Sequence, residues 1–113
     1  MTINGIEFDI DCTDAEFIEK YQTKYNEVKK DIEDLENKKD EISAVEGIRQ
    51  ECKIIKDFLD YVLGDGASER IFKGKDSLKQ CVTAFEDIIN GVEEQHQEMQ
   101  NIFDKYSPER FNR

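Results

Sequence analysis

Apolar residues recur along this chain with two different periods. Near the N-terminus Ile6, Phe8 and Ile10 alternate with Glu7, Asp9 and Asp11, the period-2 pattern of a strand with one buried face. Asn4-Gly5 stands just before them, the preferred pair for a two-residue type I′ turn because both positions take positive φ. Together these features predict a β-hairpin over residues 2–11, whose first arm is only Thr2 and Ile3. A lone hairpin is barely stable in water, so it must lie on helices or join a strand of another chain.

The period then changes. Thr13-Asp14-Ala15-Glu16 reads as a capping box, with the Thr13 hydroxyl accepting from the amide three residues on and Glu16 reaching back. Tyr21, Val28, Leu35 and Ile42 follow at steps of seven, and Tyr25 and Ile32 form a second row that Lys39 breaks. A long amphipathic helix over 14–43 is expected. Residues 43–47 are either a turn or a weak point within one longer helix. Ile48, Cys52, Ile55, Leu59 and Val62 resume at steps of four and three, widened by Phe58 and Leu63. This predicts a helix over 45–63, ended by Gly64 and Gly66. Leu78, Phe85, Val92, Met99 and Tyr106 are again seven apart, beside Cys81, Val82, Ile88, Ile89, Ile102 and Phe103. A third helix over 77–105 begins from an N-cap at Asp76 or Ser77 and stops before Pro108. The expected fold class is mainly α: an antiparallel bundle of long helices, or a helical hairpin, with a short N-terminal β-hairpin and a tail over 106–113. Heptad spacing implies crossing angles of about 20°.

Composition supports helices with solvated faces, at 37 % hydrophobic and 38 % charged residues. A chain of 113 residues reads as one domain, able to bury about two thirds of its unfolded surface without a disulfide or structural metal. The net charge of -11 repels nucleic acid polymers and anionic membrane surfaces, so neither is an expected partner. "MTINGIEFDID" has neither the basic nor the apolar region of a secretion signal. No apolar run approaches the ~20 residues that span a bilayer. An odd set of three cysteines, Cys12, Cys52 and Cys81, fits a reducing cytoplasm.

Positive charge gathers in one place, "GDGASERIFKGKDSLK" at residues 64–79. Arg70, Phe72, Lys73, Lys75 and Lys79 could hold a phosphate-bearing ligand or nucleotide, with Phe72 stacking on a base and the last helix presenting its amide end. The competing reading is a connector whose glycines stop one helix and whose Asp76 and Ser77 start the next. P-loop spacing is absent. Glu93 and His96 form half of a carboxylate-bridged di-iron pattern, but no second histidine exists, and no metal is expected. Cys52 and Cys81 fall on apolar stripes and read as core, whereas Cys12, beside the cap, reads as more exposed. No nucleophile–base pair, nucleophile elbow or dinucleotide fingerprint is visible. No catalytic residue, cofactor or enzymatic activity is therefore expected. The ending "FDKYSPERFNR" places Tyr106, Pro108, Arg110 and Phe111 past the last regular turn, as a docking segment for a partner groove or a frayed end.

Three stretches together, "INGIEFDID", "FLDYVLGDGASERIFKGKDSLKQCVTAFEDII" and "KYSPERFNR", resemble small phage and prophage proteins of Gram-positive bacteria that look like tail-assembly chaperones. The resemblance implies a helical homo-oligomer in the host bacterial cytoplasm, with the tail tape-measure and tail-tube proteins as partners. A second expectation for a small phage protein is an anti-defence role, either sequestering a nucleotide signal through the basic loop or blocking a host defence protein.

Overall fold

A computed structural model describes residues 1–106 of the chain. The fold is mainly α, with helices α1 (Ala15–Asn37), α2 (Ala44–Leu63), α3 (Ala67–Phe72) and α4 (Leu78–Lys105) following a two-stranded hairpin of β1 (Thr2–Ile3) and β2 (Ile6–Glu7). Its extents are 62 × 29 × 22 Å; the 28-residue α4 spans about 42 Å at the ~1.5 Å rise per residue.

Helix α1 departs from expectation at both ends. Its N-cap is Asp14, whose carboxylate accepts from the Phe17 amide at 3.2 Å, and not Thr13. The Thr13 amide and hydroxyl instead both donate to the Asp11 carboxylate, at 2.9 and 2.6 Å. The helix stops at Asn37, well before Ser43. A 3-10 turn, Lys39–Glu41, follows, none of it buried. Lys39 breaks the second apolar row, and Leu35 is the last buried residue of α1; Ile42, half-buried, packs from the turn instead. Ser43 then caps α2 by accepting from the Glu46 amide at 3.1 Å, which makes the region before Ala44 a turn.

The directions of the helices follow from their side-chain contacts. Tyr21 meets the edge of Phe58, while Leu35 and Ile48 line one cleft further along. Helices α1 and α2 are therefore an antiparallel hairpin. Glu51 and Leu78 share that same cleft, whereas Phe58 packs on Phe85 at 5.3 Å, so α4 runs parallel to α2 and antiparallel to α1. The bundle is not antiparallel throughout, because the chain returns along α2 before α4 begins. That return contains α3, a helix inside the stretch expected to be only a connector. Ser68 ties it to α2, donating through its amide and hydroxyl to the two Asp60 carboxylate oxygens at 2.8 Å each. Ala67, Ile71 and Phe72 are buried. Six residues with three apolar positions are too few to show a period.

Phe58 is the hub of the core, fully buried between Tyr21 and Phe85. Tyr25 stacks on Phe85 at 5.9 Å, and Tyr21 on Phe17 and Tyr25. Such pairs contribute about 0.5–1.5 kcal/mol each beyond the area they bury.

The hairpin's strand pairing is limited to Thr2↔Glu7 and Ile3↔Ile6, much shorter than the 2–11 expected. Its turn is as predicted, with φ of 48° at Asn4 and 81° at Gly5. Alternation outlasts the pairing: Phe8 is buried and Ile10 half-buried, while Asp9 and Asp11 face solvent. The reason is that residues 8–12 leave the sheet and lie along α4, where that helix supplies the hydrogen bonds. Asn4 donates to the Asp87 carboxylate and the Gln80 carbonyl, both at 2.9 Å. Gln95 accepts from the Cys12 amide at 2.8 Å and donates to the Ile10 carbonyl at 3.1 Å. His96 Nε2 lies 2.7 Å from the Cys12 carbonyl. Gly91 makes room for the Met1 side chain: a Cβ there would sit 2.5 Å from Met1 Sδ.

Candidate interaction surface

On α4, Cys81, Phe85, Ile88, Val92, Gln95, Met99, Ile102 and Tyr106 form one row with alternating steps of four and three, the spacing of a seam that packs against a neighbouring helix. Over its first half the row does this. Cys81, Ile88 and Val92 are buried and Phe85 is half-buried. Gln95 marks the end of the body, since it and His96 hold the N-terminal segment. Beyond them every residue from Gln97 to Tyr106 is exposed. Met99, Ile102, Phe103 and Tyr106 keep 41, 48, 74 and 69 % of their surface in solvent. The core seam of the bundle thus continues onto a projecting arm, residues 97–106.

An apolar row in solvent is the unusual feature, since scattered exposed apolar residues are normal but contiguous ones mark interaction sites. Gln97 donates to Asn101 and Gln100 to Asp104, at 2.9 and 3.0 Å, one turn further along the same helix. Glu98 and Lys105 flank the row. Of the residues expected to dock a partner, Tyr106 forms the C-cap of α4. Pro108, Arg110 and Phe111 lie outside the described residues. Met99, Ile102 and Phe103, expected in the core, are exposed, as are Val82, Leu78 and Ile48. The last two border an apolar cleft of about 380 Å³, with Leu35, Ile42 and Gly47 at the α1–α2 turn.

The five residues of the basic stretch do not converge. The Arg70 guanidinium lies over the Phe8 ring, 4.5 Å from its centroid, and donates weakly to the Glu7 carbonyl at 3.4 Å. Phe72 is buried, with the Lys56 ammonium 5.5 Å from its ring centroid, so its face is not open to a base. Lys73 occupies the left-handed C-cap of α3 at φ 52°, and Lys73, Lys75 and Lys79 are exposed. Ser77 is the N-cap of α4, accepting from the Gln80 amide at 3.3 Å. Asp76 instead pairs with Lys56 at 2.7 Å, bracing the connector against α2.

Cys12 is fully buried, contrary to the exposure expected beside a cap. The clamp to Gln95 and His96 draws it inward, and burial pushes its thiol up from the ordinary value. Burial and a hydrogen bond with the Cys52 thiol push Cys81 up to about 12. None of the three cysteines is in a disulfide. No group of three or more His, Cys, Asp or Glu residues among the described residues is placed to hold a metal ion. Nor is any helix there long and apolar enough to cross a membrane.

The sequence model of DUF6673, a family of unknown function, matches residues 4–113. The chain belongs to this family. The match takes in the hairpin turn, all four helices and the arm, so the projecting end of α4 lies within the family's own span. No curated protein and no solved structure matches the chain.

Proposed function

We propose that this member of the DUF6673 family is a non-enzymatic interaction module that engages other polypeptides through the α4 arm. The observation that carries the reading is the run of Met99, Ile102, Phe103 and Tyr106, exposed on a helix whose other half uses the same row as core. Helix-in-groove and helix-on-helix recognition use this i, i+3, i+4, i+7 spacing. The body is strongly acidic, which keeps a protein with an apolar arm dispersed before it meets a partner. Its likeness to phage tail-assembly-chaperone-like proteins makes the role specific: a helical oligomer in the bacterial cytoplasm that escorts the tape-measure and tail-tube proteins.

Co-expression with the tape-measure and tube proteins of the same phage or prophage, followed by affinity capture of this chain, tests the reading. Retention of one of them by the native chain, and its loss in an Ile102→Asp, Phe103→Asp variant that keeps its thermal midpoint, is the expected outcome. Retention by neither form, or equal retention by both, overturns it.

A further inference from the structure

We infer that in the free protein the arm is covered by the arm of a second copy, the two α4 helices running antiparallel with Met99 facing the partner's Ile102. The inference rests on reading the arm as a docking surface, and it names the first occupant. In antiparallel helix pairs the two positions of an apolar row face each other in alternation. Setting Met99 against the partner's Ile102 therefore sets Gln95 against the partner's Tyr106, and closes the exposed row on itself.

The flanking charges select this register. On one side of the row stand Glu98 and Lys105, both exposed and neither in an ion pair among the described residues. With Met99 opposite the partner's Ile102, Glu98 falls opposite the partner's Lys105. Two-fold symmetry repeats the pair with the roles exchanged. Sliding one helix by a heptad in one direction puts Glu98 against the partner's Glu98. Sliding it the other way puts Lys105 against the partner's Lys105. On the other flank the chosen register carries Phe103, the most exposed of the apolar side chains, over the partner's His96. A parallel pair would bring Glu98 beside the partner's Phe103 and lose both charge contacts. It would also set two bodies of the same net charge, -11 each, side by side, whereas the antiparallel pair holds them at opposite ends.

Sedimentation equilibrium on the native chain, Glu98→Lys, Lys105→Glu and the double variant tests this directly. The native chain is expected to dimerise. Each single reversal replaces two attractions by two repulsions and weakens the dimer by about ten-fold in Kd at low salt. The double variant restores the pairing with signs exchanged, to within about three-fold of the native value. High salt narrows all these differences. A native chain that stays monomeric overturns the inference, as does a double variant no tighter than the singles. A monomer that still retains a tail protein would remove the dimer and leave the docking surface standing. A dimer with the charge rescue that retains no tail protein would do the reverse.

Discussion

Gln95 occupies a position in the α4 seam where an apolar residue would continue the core, and its side chain holds the N-terminal segment in place. Replacing it by alanine removes the acceptor for the Cys12 amide at 2.8 Å and the donor to the Ile10 carbonyl at 3.1 Å, both in part-buried surroundings. Each such bond contributes about 0.5–1.5 kcal/mol net, and a buried group left without a partner costs more. Gln95→Ala should therefore lower stability by about 2 kcal/mol and the thermal midpoint by roughly 10 °C for a domain of this size. Gln97→Ala is the matched control: same residue, same helix, but a bond to Asn101 in full exposure, with an expected effect within about 0.5 kcal/mol. The small gain in helix propensity from glutamine to alanine is common to both and cancels. Urea unfolding followed by circular dichroism gives the two values, and amide exchange at Cys12 reports the local release. Equal losses in the two variants would refute the clamp, and with it the explanation of why so short a hairpin is ordered.

Phe58→Ala empties the centre of the aromatic cluster and should cost about 4 kcal/mol in urea unfolding, a large part of the ~5–15 kcal/mol that holds a domain together; a loss under about 1 kcal/mol contradicts its placement between Tyr21 and Phe85. The buried thiols make a chemical prediction. In the native protein at pH 8 none of Cys12, Cys52 and Cys81 should react with a thiol-specific reagent, and all three should react in denaturant; fast native labelling of Cys12 argues against its burial. Alkaline stability follows from the raised values of Cys81 and Tyr21, both pushed up to about 12, mainly by burial. The folded state keeps these protons that the unfolded chain releases, so stability is full below about pH 9 and falls as pH rises toward 12. A chemical-denaturation series over that range should show the midpoint dropping, and a flat series excludes the burial of both groups.

Most of the architecture was legible because each long helix carries its own apolar row. The rows name Cys52, Ile55, Leu59 and Val62 in α2 and Cys81, Ile88 and Val92 in α4 as buried, although Ile48 and Leu78 at their starts are exposed, and Asn4-Gly5 names its turn. The errors share a cause. A heptad row says where a side chain points, but not whether another helix stands opposite it. Period alone carries α1 to Ser43, since Ile42 is in step with Leu35, although Lys39 breaks the second row. The arm follows from register, which period does not show: with Tyr25 stacked on Phe85 and the two helices antiparallel, α1 begins at Ala15 about level with Gln95, so Met99, Ile102 and Phe103 have the period of core residues without a helix opposite. The basic stretch, open to a connector or a phosphate-binding reading, was legible only in part. Its cations were visible as charge, but the burial of Phe72 and the seat of Arg70 on Phe8 depend on contacts with α2 and the hairpin, which lie far away along the chain. Cys12 was misplaced for the same reason, since its burial depends on Gln95 and His96.

Amide hydrogen exchange across α4 tests the interaction surface most directly. In a dilute solution of the chain, amides from 97–106 should exchange far faster than that of Ile88, because the exposed end of a helix opens more readily than its buried middle. On concentrating the chain, or adding a tail tape-measure protein, protection should rise within 97–106 and stay unchanged around Leu35, Ile48 and Leu78. Protection that appears at that cleft while the arm keeps exchanging freely would contradict the assignment of the arm as the surface through which this protein meets its partners.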